Sequence, residues 1–149
     1  MKKLSKPQIY DNNKPLLRKI TPEEFEEMKK HTIYGKNALE IAVEELGSNS
    51  FLDTAKEIAY THHEKWDGSG YPNGLKGENI PISGRLMALA DVYDALVSKR
   101  NYKEAFTHEY AKNIIIREKG THFDPEIIDA FMVLENKFYK ISLEYTEYL

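Results

Sequence analysis

Leu86-Met87-Ala88-Leu89-Ala90-Asp91-Val92-Tyr93-Asp94-Ala95-Leu96-Val97 is a nearly continuous apolar run interrupted by two carboxylates three residues apart. With its flanks it predicts a helix from about Ser83 to Ser98, apolar enough all round to be buried. A buried helix needs partners, and the neighbouring sequence supplies them as helices. Downstream, segments at roughly Thr107 to Lys119 and Pro125 to Lys140 are separated by Gly120-Thr121-His122-Phe123-Asp124, where Asp124 before Pro125 reads as a cap followed by a first-turn proline.

Upstream, Thr21 is a good N-cap, Pro22 suits the first helical position and Glu24 completes a capping box. Phe25, Met28, Ile33, Ala38, Leu39, Ala42 and Val43 then supply apolar positions for one or two helices ending near Gly47. Phe51, Leu52, Ala55, Ile58 and Ala59 recur at helical spacing up to His62-His63, beyond which Asp67, Gly68, Gly70, Pro72, Asn73, Gly74 and Gly77 break the pattern. The expected architecture is all-α, a bundle of about five helices. An irregular arm spans residues 1–20, the helical domain 21–140 and a tail 141–149, the tail being a strand, a frayed helix or neither.

A chain of 149 residues suits one core and is short for two. Its net charge of −3, with Lys and Glu scattered, gives no basic stripe for neutralising a duplex, which argues against a nucleic-acid polymer as partner. Without cysteine there is no disulfide framework and no thiolate metal site, so any metal must sit on His and carboxylate. No stretch approaches the roughly 20 apolar residues of a membrane span, and a soluble cytoplasmic protein is expected.

Three histidines and several carboxylates are candidates for chemistry. His62 and His63 close a helix and run into a glycine-rich loop that could fold over a ligand; the plainer alternative is a surface pair before a long turn. Helical neighbours point about 100° apart, so spacing alone does not put both on one ion. Asp91 and Asp94 share one face of an apolar helix, where a carboxylate is costly unless a metal, donor or cation meets it, and for Asp94 an ion pair with Arg85, Arg100 or a lysine competes with a functional role. His31 alone is weak evidence, and His108 and His122 suit capping or surface roles.

Taken together, His62-His63-Glu64, Asp67-Gly68, Gly70-Tyr71-Pro72 and Ala90-Asp91-Val92-Tyr93-Asp94-Ala95-Leu96 resemble the HD-GYP family. The first segments match HHExxDGxGYP at every fixed position, followed by DxxDAL and Arg100-Asn101-Tyr102. The likeness extends to Gly120-Thr121-His122-Phe123-Asp124-Pro125 and back to Lys29, His31 and Gly35 of KxHxxxG, covering roughly residues 4 to 135. The resemblance implies an HD-type helical bundle holding two or three iron or manganese ions and cleaving cyclic di-GMP. It implies His31, His62 and His63 on one metal and Asp91 on its neighbour. It also implies Tyr71, Arg100 and Lys103 near the guanine and phosphates, with Asp94 as polar support.

The likeness departs at the start. Counted back from Thr21, the family's HDxGK falls on Lys2-Lys3-Leu4-Ser5-Lys6, where only Lys6 agrees. Asp91 and Lys6 are therefore the catalytic candidates that remain. The expectation is a chain lacking the family's first part, through natural truncation, a wrong start, a frameshift or a trimmed boundary. It would hold one divalent ion or none and be impaired or inactive in isolation. Alternatives are a non-catalytic module that senses cyclic di-GMP or engages a diguanylate cyclase domain through the Gly68–Gly77 loop, and a phosphohydrolase for another nucleotide. Apolar surface left uncovered would favour a homo-oligomer.

Overall fold

The computed structural model describes residues 20–98 and 105–146. Six α-helices run through them: α1 (Pro22–Lys29), α2 (His31–Leu46), α3 (Ser50–Thr61), α4 (Ile82–Val97), α5 (His108–Arg117) and α6 (Pro125–Thr146), with a single 3-10 turn at Gly77–Asn79. No strand occurs among the described residues beyond one isolated bridge between Lys119 and Phe123. The all-α expectation holds. The first predicted segment splits in two at Lys30, and α6 carries the helix through residues 141–146, so those residues of the expected tail are helical.

The helix starts follow local chemistry. At α1 the Thr21 hydroxyl accepts the Glu24 N–H at 3.2 Å while the Glu24 carboxylate accepts the Thr21 N–H at 2.8 Å, so two donors left over by the first turn are satisfied reciprocally. Asn49 caps α3 through Leu52 N–H, and Thr107 caps α5 through Tyr110 N–H. Gly47 ends α2 at φ +83°, a conformation that disfavours side chains. Asp124 accepts the Glu126 N–H at 2.8 Å at the start of α6.

The core lies between α4, α5 and α6, where Leu89, Tyr93, Ala111, Ile115, Phe123, Ile127, Ile128 and Phe131 pack together. Burying each large member contributes about 1.5–3 kcal/mol. The aromatic members meet edge-on, Tyr93 with Phe131 at 6.0 Å and Phe131 with Phe138 at 5.1 Å. By contrast α1 buries nothing, and α2 and α3 bury only Thr32 and Thr61.

The expectation that the α4 segment is buried all round holds for one side only. Gly84, Ala88, Leu89 and Tyr93 face inward, whereas Ile82 and Leu86 are 54% and 52% exposed. Nearly unbroken apolarity had hidden this asymmetry, because hydrophobic period cannot be read where almost every position is apolar. No helix among the described residues is long and apolar enough to cross a membrane.

Candidate metal centre

Three imidazoles converge from two directions. His31 opens α2, immediately after the one-residue junction at Lys30, while His62 caps the C-terminus of α3 and His63 follows in the turn. One ring nitrogen from each lies within 4.8 Å of the others. Helix α3 ends at Thr61, so the 100° stagger of helical neighbours no longer governs His63, and its ring comes to 4.1 Å from that of His62 and 5.0 Å from that of His31.

Hydrogen bonds fix the tautomers of two of them. A carbonyl can only accept, so His31 Nδ1–H donates to the Met28 carbonyl at 2.7 Å and His62 Nδ1–H donates to the Ile58 carbonyl at 2.9 Å. In the neutral rings both Nε2 atoms are then bare lone pairs, and they face one another at 3.4 Å. Two such acceptors repel unless a proton or a metal ion sits between them. Ligands each about 2.1 Å from a tetrahedral ion stand about 3.4 Å apart, so the donor set fits a divalent metal. His63 is held unprotonated: burial, then the neighbouring His62 and His31, depress its pKa to about 4, with Asp91 opposing.

The glycine-rich loop is built around Glu64. This side chain is only 2% exposed, yet it is a carboxylate, and it accepts the N–H groups of Asn73 at 2.8 Å and Leu75 at 3.0 Å. Gly70 passes so close that a Cβ there would stand 2.5 Å from Glu64 Cα, which only glycine tolerates. Asp67 accepts the Ser69 N–H, and the hydrogen bonds from Ser69 lower its pKa. The loop is strapped to the α5–α6 turn by Trp66 N–H to the His122 carbonyl and Asp67 N–H to the Thr121 carbonyl. Arg85 reinforces the strap: it pairs with the buried Asp124 at 2.7 Å and lies over the Trp66 ring at 5.7 Å.

Tyr71, joined to Pro72 by a cis peptide, donates its N–H to the His63 carbonyl and lays its ring 4.8 Å from the His63 ring. Burial, then Asp91, raises its phenol pKa.

The aspartates are arranged otherwise than expected. Asp91 and Asp94 are exposed on α4, so the cost of burial that singled them out does not apply. Asp91 lies near enough to act electrostatically on His63 and Tyr71, beside the three imidazoles and outside their 4.8 Å cluster. Asp94 accepts the Ser98 hydroxyl at 2.9 Å, and Arg85 serves Asp124 instead. Lys6, Arg100 and Lys103 lie outside the described residues.

Two histidines expected to be incidental have defined surroundings. His108 is hydrogen-bonded to the Tyr93 hydroxyl at 2.9 Å and to Glu135, and it stacks on Tyr139. Its ring nitrogen, Glu109 and Glu135 also approach one another, but Lys112 already occupies that cluster as its cation, 2.7 Å from Glu109 and 3.8 Å from Glu135. His122 is half-buried, and burial followed by Lys65 lowers its pKa. In the sequence Glu64 stands only as a position of the His-Glu motif, with no expected role. Its signal was a carboxylate between the His pair and a glycine-rich loop.

A family profile described as HD domain matches residues 9–127. The chain belongs to the HD domain family. This HD domain is 58% identical over 129 residues to a cyclic di-GMP phosphodiesterase of Vibrio cholerae, covering 87% of the chain and 26% of the relative. It is 49% identical over 119 residues to a cyclic di-GMP phosphodiesterase of Thermotoga maritima, covering 79% and 31%. It is 45% identical over 123 residues to the 3'3'-cGAMP-specific phosphodiesterase 2 of Vibrio cholerae, covering 83% and 23%. The HD domain thus spans about a quarter to a third of the length of these curated relatives. The crystal structure of a cyclic GMP-AMP specific phosphodiesterase from Vibrio cholerae superposes with a TM-score of 0.56 over 77% of the chain and 25% of that structure, at 24% identity, a likeness of fold.

Proposed function

We propose that this HD domain is a metal-dependent phosphohydrolase domain acting on cyclic dinucleotides, cyclic di-GMP first and 3'3'-cGAMP second. The observation that carries the reading is the pair of Nε2 atoms of His31 and His62 facing at 3.4 Å, with His63 alongside and Tyr71 packed on it. The activities for which the similar proteins are named support the substrate class.

A bound divalent ion, iron or manganese, would supply Lewis acidity toward a phosphoryl oxygen and toward water. The chain's own residues do the rest. His31 and His62 keep Nε2 aimed because Met28 and Ile58 hold their Nδ1–H groups. His63 stays unprotonated near neutral pH because burial disfavours its charge. Tyr71 offers an aromatic face and a hydroxyl to a nucleoside. Asp91 is the carboxylate nearest in role for accepting the proton of attacking water or for holding a second ion, with Asp94 supporting it. Arg100, Lys103 and Lys6 are the candidate phosphate contacts and proton donor.

Among the described residues no carboxylate joins the 4.8 Å cluster of the three imidazoles, and Asp91 acts on it from outside. Two cations held without a bridging carboxylate repel strongly. The expected behaviour of this chain alone is one ion and slow hydrolysis.

The experiment is hydrolysis of cyclic di-GMP by the chain with added Mn²⁺ or Fe²⁺. Slow turnover that disappears in His62→Ala supports the reading, and tight binding without turnover supports a sensing module instead. Turnover confined to other nucleotides in a substrate panel, with neither binding nor cleavage of a cyclic dinucleotide, rejects it.

A further inference from the structure

Helix α1 raises a question of economy in the fold. Its start is specified by Thr21, Pro22 and Glu24, yet none of its eight residues is buried, so core packing does not explain why it is held in place. What it presents is one face carrying Phe25 and, one turn later, Lys29. Phe25 meets the edge of the Tyr71 ring at 6.1 Å, in a near-perpendicular arrangement of 82°, and remains 40% exposed. The Lys29 ammonium lies 5.4 Å from the Phe25 ring centre and 5.9 Å from that of Tyr71. Two residues further on is His31, whose ring is 6.4 Å from Tyr71. Tyr71 thus has both imidazoles and an aromatic–ammonium pair around it.

We propose that the Phe25–Lys29 face of α1 is a nucleotide-binding wall, with the Lys29 ammonium contacting a phosphate oxygen and the Phe25 ring contacting a base. The inference rests on the reading of the domain as a cyclic dinucleotide phosphohydrolase and adds two ligand contacts to it. A cyclic dinucleotide carries two phosphates and two purines, so beyond the metal, Tyr71 and the candidate cations Arg100 and Lys103 a second base and further phosphate oxygens are left to be met. An ammonium and an exposed aromatic edge are the chemistry that meets them. Lys29, itself 26% exposed, is paired at 2.8 Å with Glu26, which is 67% exposed, and a pair open to solvent on its carboxylate side can exchange that carboxylate for a phosphate oxygen.

The test measures equilibrium binding of cyclic di-GMP to the Mn²⁺-loaded full chain, with Mn²⁺ affinity and thermal unfolding followed alongside. Lys29→Met is expected to weaken nucleotide binding by about 10-fold and to flatten its dependence on salt, as loss of one charge-assisted contact requires. Lys29→Arg should retain affinity to within about 3-fold, and Phe25→Leu should weaken it by about 10-fold. Mn²⁺ affinity should be unchanged in all three. A purely structural role would lower the unfolding temperature while leaving affinity and salt dependence alone. That result, or a Lys29→Met chain that binds like the wild type, overturns the proposal while leaving the function intact. A wild-type chain that binds neither cyclic di-GMP nor 3'3'-cGAMP refutes the function itself.

Discussion

Gly84 of α4 rests directly on Thr61 of α3, so closely that a Cβ on Gly84 would stand 2.9 Å from the Thr61 Cβ and overlap its hydroxyl oxygen. Thr61 immediately precedes the His62–His63 pair, and this crossing therefore joins the candidate metal centre to the packed half of the bundle. Gly84→Ala must push α3 and α4 apart, and overpacking of this kind costs about 1–3 kcal/mol. We expect a lowered unfolding temperature together with weaker Co²⁺ or Mn²⁺ binding. Unchanged metal affinity in a destabilised Gly84→Ala chain would disconnect the crossing from the site.

Glu64 should be intolerant even of its amide. Its carboxylate accepts two backbone N–H groups, from Asn73 and Leu75. Glutamine at this position would present its own NH₂ to one of them, leaving a buried donor unmatched at a cost of about 1–3 kcal/mol. Hydrogen exchange at the Asn73 and Leu75 amides should accelerate in Glu64→Gln, and the Tyr71 ring should leave His63, a change visible in the NMR shifts of the imidazole protons. Unaltered exchange at both amides would contradict this account of the loop.

His63 gives the metal-free chain an acid-labile component. Its folded pKa, about 4, is below the ordinary imidazole value of about 6.5, so between these limits the unfolded chain binds more protons than the folded one. Stability associated with this group is present above about pH 6.5 and is lost as pH falls toward 4. His122, lowered by burial and by Lys65, acts in the same direction. Urea unfolding at a series of pH values should show midpoints falling through this window. His63→Gln should flatten the slope, and an equal slope in that variant would assign the effect to other groups.

The Arg85–Asp124 pair should behave as a buried one. Asp124 is 3% exposed on its side chain, caps α6 through Glu126 N–H and anchors the arginine that lies over Trp66. Arg85→Ala leaves its carboxylate buried without its cation, and removals of this type cost about 3–5 kcal/mol. Chemical unfolding would measure it. A loss below about 1 kcal/mol would mean that water replaces the guanidinium.

The parts of the molecule legible in sequence are those set by neighbours along the chain. Thr21 with Glu24, Thr107, and Asp124 before Pro125 mark helix starts because capping acts over three residues. The meeting of His31 with His62 was foreseen only through family resemblance, since 31 residues separate them and helical spacing argued against adjacent histidines sharing a ligand. The differences have a common origin. Apolar neighbours suggest a burial cost for Asp91 and Asp94, but apolar neighbours on α4 such as Leu86 are themselves exposed. The partner of His108, Glu135, lies 27 residues away and that of Arg85, Asp124, lies 39 residues away, beyond the reach of local sequence pattern.

The uneven distribution of buried residues bears on how an ion would leave. His62 and His63 are tied through Thr61 and Gly84 to the densely packed end of the bundle, whereas His31 stands at the junction of two helices that together bury a single residue, Thr32. Segments with so little interior open by local fluctuation well below the free energy of global unfolding. The centre thus draws two imidazoles from the segment joined to α4 and one from a helix junction with little interior. Release and exchange of a bound ion would be easiest from the His31 side, where the least interior has to open.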